Sequence, residues 1–315
     1  MNSARAFHSF EAIIQAARDA GPVAVAVAGA SDSKVLTALS HAMQSGLVHR
    51  AVLTGKLSEM SKALRQIGID SELEAKKIQL VGAANPADAS ARAVAAAASG
   101  EASILIKGFV DTATFMRAVL DREKGLRGDR LLSQVGIYEI QGFDRLILVA
   151  DVGIVVAPDL AQKKQILENA ADVARALQIE EPGVALLSFA EFVDPAIPAT
   201  VDAAALAKMG DRGQIKGVII DGPLALDNAV SQEAAAHKGI VSPVAGRADI
   251  LIMPDLHSGN IFAKSLLYIA HARSAGVVVG ARVPIVLTSR SDPAESKLNS
   301  IAVARLMSSE NQFVS

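Results

Sequence analysis

The sequence predicts an α/β fold with mostly parallel sheets and helices on both faces. Short strand-like apolar runs alternate with stretches in which apolar residues recur at helical spacing, as in strand and crossover helix. Such alternation implies a sheet covered on both sides. Polar residues also cluster where several of the runs end, and ligands of open α/β sheets bind at those carboxyl ends.

The elements follow in order. Residues 23–28 (VAVAVA) form a strand that ends in the turn Gly29-Ala30-Ser31-Asp32, and Val35, Leu36, Leu39, Ala42 and Met43 then trace a helix to Gly46. Residues 51–54 are the next strand and 58–67 the next helix. Residues 77–81 and 103–106 are further strands, separated by an alanine-rich helix over 86–98, and 112–120 reads as a helix. Between 125 and 145 the rhythm changes. Residues 135–140 and 146–150 are strand-like and only a few residues apart. Parallel neighbours need a crossover of about a dozen residues, so this pair is expected to be antiparallel or split between sheets. A domain boundary is therefore placed here, at 142/143. Alternation resumes with a helix over 161–177, a strand over 183–189, a helix over 201–209, strands at 217–220 and 285–287, and a last helix over 293–307.

Composition narrows the function classes. The chain has 315 residues, 51% hydrophobic and 20% charged, enough to bury a sizeable core. A net charge of −2 and an aromatic content of 3% argue against nucleic acid as partner. Cysteine is absent, which excludes disulfides, thiolate metal sites and a cysteine nucleophile. The first 21 residues lack the apolar core of a signal peptide, and no apolar run reaches the ~20 residues of a membrane span. A soluble, cytoplasmic protein is expected.

Nucleotide-loop and zinc signatures are missing, and His8, His41, His49, His237, His257 and His271 show no ligand spacing. Three polar clusters at run ends suggest one shared site: Asp221, Asp227 and Asn228; Asp255, Gly259 and Asn260; and Ser289 with Arg290. A fourth segment, Lys107 to Thr112, opens a helix carrying Arg117, and a helix N-terminus beside a cation suits an anion. Arg122, Lys124, Arg127 and Arg130 behind it read more simply as a solvated charged loop. Ser289 and Arg290 fit either a helix cap or a site in which Arg holds phosphate and Ser donates to an oxyanion. Glu295 fits a general base or a first-turn acid that complements the helix dipole.

At these residues the chain resembles the phosphate acetyltransferase and phosphate butyryltransferase family. The matching pieces are DGPLALDNAVS at 221–231, PDLHSGNIFAKSL at 254–266, IVLTSRSDPAESKLNSIA at 285–302 and KGFVDTATFMRAVL at 107–120, with the 221–231 and 289–300 wording closer to the butyryl branch. The resemblance implies a two-domain homodimer, isocitrate/isopropylmalate dehydrogenase-like, with its active site in the interdomain cleft. The C-terminal helix would close the first domain, giving 1–142 plus 289–315 as domain 1 and 143–288 as domain 2. It also implies acyl exchange between CoA and phosphate, with CoA as substrate and with no metal or other cofactor. Ser289 and Arg290 match the catalytic pair, and Arg117, after Thr112 and Ala113, the phosphate-binding arginine. Gly259, Asn260 and Lys264 match the PDLxxGN segment and its lysine. Ungapped counting puts Ser296 where the acetyl branch carries a catalytic Asp, and Glu295, one residue earlier, is taken as the base. Catalysis is thus assigned to Ser289, Arg290, Glu295 and Asn260. Substrate binding falls to Arg117, Lys107, Thr112, Asp221, Asn228, Gly259 and Lys264. The alternatives are a metal- and NAD(P)-dependent decarboxylating dehydrogenase, with Asp221, Asp227 and Asp255 as ligands, and a non-catalytic acyl-CoA-binding protein.

Overall fold

The alternating pattern folds, in a computed structural model that describes residues 6–69, 77–289 and 291–309, into elements that separate into two units. The first unit comprises Glu11–Arg130 and Ala275–Ser315, the second Met1–Phe10 and Leu131–Ser274.

The chain opens with α1 (Phe10–Asp19), β1 (Val23–Ala28), α2 (Ser33–Gln44), β2 (Val48–Gly55), α3 (Leu57–Gln66) and β3 (Ile78–Gly82). It continues with α4 (Pro86–Ala98), β4 (Ile104–Lys107) and α5 (Thr112–Val119). The helix starts are written in the sequence. Asp32, Asn85 and Asp111 each accept an N–H from the first turn of the helix that follows, and Pro86 sits where a missing N–H costs nothing.

The second unit contains β5 (Ser133–Glu139), β6 (Ile147–Ala150), α6 (Leu160–Ala176), β7 (Gly183–Leu187), α7 (Pro198–Asp211) and β8 (Ile219–Leu224). After α8 (Leu226–Val230) and α9 (Gln232–His237) come β9 (Ile250–Ile252) and α10 (Leu256–Tyr268). The chain then returns to the first unit through β10 (Arg273–Val279), β11 (Ile285–Val286) and α11 (Ala294–Ser309).

In the first unit the strands run in the order β3-β2-β1-β4-β11-β10, parallel except for the β10–β11 pair. In the second the order is β5-β6-β9-β7-β8, parallel except for β5–β6. The mostly parallel α/β class is therefore as expected, and the closely spaced pair, Val135↔Ala150 to Tyr138↔Ile147, is antiparallel. Both units bury apolar side chains. Val25, Leu53, Ile104 and Phe115 are fully buried in the first, and Val149, Ala185 and Leu251 are fully buried in the second. Each of the larger of these side chains contributes roughly 1.5–3 kcal/mol, and the single methyl of Ala185 less.

The units divide after Arg130 and after Ser274, where the sequence reading put 142/143 and 288/289. Pairing explains the difference. The β5–β6 ladder binds residues 133–139 to the second unit, and β11, which pairs with β10 at Val278↔Ile285 and with β4 at Ile285↔Leu105, binds that hairpin to the first. The 217–220 strand also runs longer than expected, to Leu224, through Gly222 and Pro223. Among the described residues β8 is the last strand of its sheet, a position that tolerates a proline without an N–H better than the middle of a sheet does.

Candidate active site

In the second unit, β6 and β9 are parallel neighbours, and their carboxyl ends meet. Directly after β6, the carboxylate of Asp151 accepts the N–H groups of Gly153 (2.7 Å), Ile154 (3.0 Å) and Val155 (3.1 Å). Burial pushes the Asp151 carboxyl up, and these N–H donors act in the opposite direction. After β9, Asp255 caps α10 by accepting the N–H of Ser258 (2.8 Å), which holds its carboxyl below the ordinary range. Gly259, one turn on, is pressed against the 151 turn: a Cβ there would lie 2.2 Å from the Asp151 carbonyl oxygen. Asn260 completes the junction, its Nδ2 donating to the carbonyl of Val152 (3.1 Å). Lys264 follows on α10, with its ammonium 5.8 Å from the centroid of the Tyr268 ring.

The ends of β7 and β8 form a second cluster in the same unit. Asn228 is fully buried, and its Nδ2 donates to Glu191 Oε1. Lys238 donates to Glu191 (2.7 Å) and pairs with Asp227 (3.1 Å), which lowers both carboxyls. Asn228 Oδ1 and Ser188 Oγ are buried without a hydrogen-bond partner among the described residues. Asp221 differs from expectation. It lies inside β8 rather than beyond its end, and its Oδ1 accepts the N–H of Gly222 (2.8 Å).

In the first unit, β1, β4 and β11 end side by side. Gly29 (φ +70°) lets the turn after β1 close on the turn after β4: Phe109 N–H donates to Gly29 O at 2.7 Å, and a Cβ would meet Val110 at 2.6 Å. Lys107 was expected to contact phosphate. It is buried, and its ammonium donates to the carbonyls of Val110 (3.0 Å) and Gly108 (3.4 Å), bracing the turn from beneath. Thr112 is exposed at the start of α5, capped by Asp111. Arg117 folds back toward the first turn of that helix, donating to Thr114 Oγ1 (2.9 Å) and Ala113 O (3.3 Å), so a cation stands beside its N-terminus.

After β11 comes Ser289. It is exposed, its Oγ lies 3.0 Å from Ser291 Oγ, and its N–H donates to Asp292 Oδ2 at 2.7 Å. Arg290 lies outside the described residues. Glu295 is exposed in the first turn of α11. Sequence reasoning missed Lys297. It is 3% exposed and donates to Thr288 Oγ1 (2.8 Å) and to Ser289 O (2.9 Å). Lys34, in the first turn of α2, donates to Ser291 O (3.2 Å). A lysine inside a helical pattern reads as solvated, so only the contact itself reveals such a role.

Apart from Asp221, the predicted residues thus lie at or after strand ends within each unit. Asp221, Asn228, Gly259, Asn260 and Lys264 belong to the second, and Lys107, Thr112, Arg117, Ser289 and Glu295 to the first. Among the described residues no group of three or more His, Asp or Glu side chains is placed to hold a metal ion. Among them, too, no helix is long and apolar enough to cross a membrane.

Comparison with known proteins bears on what this arrangement does. Residues 72–305 match the family model described as Phosphate acetyl/butaryl transferase. The phosphate butyryltransferase of Clostridium acetobutylicum is 43% identical over 95% of this chain and 98% of its own. The phosphate acetyltransferase of Thermotoga maritima is 41% identical over 93% of this chain and 98% of its own. Among solved structures, a branched-chain phosphotransacylase from Enterococcus faecalis V583 superposes with a TM-score of 0.79 at 33% identity, covering 91% of this chain and 99% of its own.

Proposed function

The chain belongs to the phosphate acetyl/butyryl transferase family, and we propose from this that it catalyses acyl-CoA + phosphate ⇌ acyl phosphate + CoA. It is an acyltransferase. The observation that carries the reading is identity above 40% to two named transferases over more than nine-tenths of the chain. These relatives give no support to the dehydrogenase or the non-catalytic reading.

The proposed mechanism is direct attack in a ternary complex. In the direction that consumes acyl phosphate, a base removes the CoA thiol proton and the sulfur attacks the acyl carbonyl. A C–S bond forms, the carbonyl becomes a tetrahedral oxyanion, and the C–O bond to phosphate then breaks, with the electron pair leaving on phosphate. A thiol of pKa ~8.5 is mostly protonated at neutral pH, so a base is needed. Glu295 is proposed for that role, with its exposed position at the start of α11 in support. The exposed Ser289 hydroxyl would donate to the oxyanion, and Asn260 would orient the acyl group. Arg117 and Arg290 would hold phosphate. Support for Arg117 is its place beside the N-terminus of α5, where Thr112 begins the helix. Lys107, Gly259, Asn228, Asp221 and Lys264 would shape the substrate-binding surfaces.

The same reading takes CoA as substrate, needs no metal or other cofactor, and envisages a cytoplasmic homodimer. It also takes an isocitrate/isopropylmalate dehydrogenase-like arrangement with an interdomain active site, for which the family resemblance is the support. The test is thioester formation from CoA and acetyl, propionyl or butyryl phosphate with EDTA present. Turnover is expected, and the ranking of kcat/KM would give the acyl preference. No turnover with any of the three would overturn the proposal.

A further inference from the structure

The structure assigns Lys297 a role in the reaction: we propose that it is the positioning residue that fixes the Ser289 turn so that its hydroxyl reaches the developing oxyanion. The inference rests on the reading of Ser289 given above. The Ser289 hydroxyl is exposed, and its one described contact is another exposed hydroxyl, that of Ser291, so its place is set through the main chain. The Ser289 N–H donates to Asp292, and its carbonyl accepts from Lys297 Nζ at 2.9 Å and from the Asp292 N–H at 3.2 Å. The same ammonium holds Thr288 Oγ1 at 2.8 Å, so Lys297 grips two successive residues where β11 leads into α11.

That grip is made with an expensive group. The Lys297 side chain is buried, and burying an ammonium costs free energy that a methionine of similar length would not. Asp292 in the turn and Asp32, the N-cap of α2, stand near enough to offset part of the cost, whereas Lys34 on α2 opposes it. Burial lowers the Lys297 pKa against these carboxylates. A buried side chain whose Nζ donates to both Thr288 Oγ1 and Ser289 O is placed to orient that turn. Lys107 braces the neighbouring turn after β4 in the same manner.

The test is a double-mutant cycle on the full chain, read as kcat and KM for CoA and acyl phosphate, with folding checked by circular dichroism. A displaced group costs up to ~100-fold, so Lys297→Met is expected to lower kcat by about 10–100-fold with both KM values changed by less than about twofold. Ser289→Ala is expected to lower kcat by ~10²–10³-fold. If Lys297 acts through Ser289, the double variant is no slower than Ser289→Ala alone, an outcome that general loosening would not give. Losses that multiply, or a Lys297→Met enzyme within about twofold of the parent, would overturn the role of Lys297 and leave that of Ser289 standing. A Ser289→Ala enzyme that keeps nearly full activity would overturn both. Should Lys297→Met fail to fold, Thr288→Val removes one anchor of the ammonium at nearly constant shape. It is expected to lower kcat several-fold in the parent and not at all beside Ser289→Ala, and an unchanged kcat in the parent would overturn the proposal.

Discussion

A Cβ at residue 259 would lie 2.2 Å from the carbonyl oxygen of Asp151, and that oxygen belongs to backbone, which cannot rotate away as a side chain can. In an exposed helix, alanine is favoured over glycine by ~1 kcal/mol. Here the clash reverses the sign, because the turn at 151 must move or α10 must shift, and overpacking of this kind costs about 1–3 kcal/mol. Gly259→Ala is therefore expected to lower the denaturation midpoint and to weaken the Asn260–Val152 contact beside it. Gly210, in α7, is the matched control. A Cβ there would meet the flexible Ile220 Cδ1 at 3.0 Å, so Gly210→Ala should cost less. Urea unfolding of the two variants checks the order, and a Gly259→Ala protein as stable as the parent would refute the close-packing account. The glycine itself was legible in the sequence as part of a strand-to-helix motif. The oxygen it must avoid was not, since residue 151 is more than a hundred positions away.

At the scale of elements, Lys238 at the end of α9 ties the loop after β7 to the start of α8 through Glu191 and Asp227. Its ammonium holds both carboxyls below their ordinary range. A depressed carboxyl contributes stability that is present above its unfolded pKa of about 4 and is lost as the pH falls through the folded value. The Lys238 pKa is raised by the same pair, so that part is present below its ordinary value and is lost as the pH rises through the raised one. Lys238→Met should therefore lower the melting temperature at neutral pH, by a small amount for so exposed a cluster. The two curves should converge as the pH falls from about 5 to 3, which flattens the fall. High salt should shrink the difference by screening. A parallel shift of the whole pH curve would point instead to lost packing. The sequence showed Asp227 and Asn228 at a run end but hid Glu191 and Lys238, whose partners are brought together only by the β7–β8 pairing. Strand length was misjudged for a related reason. Gly222-Pro223 reads as a breaker along the chain, and only the strand order reveals that β8 lies at an edge.

For the whole molecule, the alternation of strands and helices was legible because periodicity is a local property. The short connection between β5 and β6 narrowed that pair to two arrangements, of which the antiparallel one is found. The unit borders were less legible, because they depend on the pairings of β5 with β6 and of β10 with β11, which join residues distant from the predicted borders. The division into two units bears on how ligand binding should be measured. A ligand that binds only the folded chain stabilises it by RT ln(1 + [L]/Kd), about 2.7 kcal/mol at a hundredfold excess over Kd. A two-unit chain need not unfold in one step, so the shift should be followed by calorimetry rather than by a single optical probe. If acyl exchange is the activity, CoA is expected to raise the transition of at least one unit in the presence of EDTA, and phosphate should do so more weakly. NAD(P) with magnesium should have no effect. A shift with NAD(P) and magnesium but none with millimolar CoA would turn the assignment toward the dehydrogenase. A CoA shift without turnover on any acyl phosphate would leave a binding protein. The transferase reading requires both the shift and the turnover.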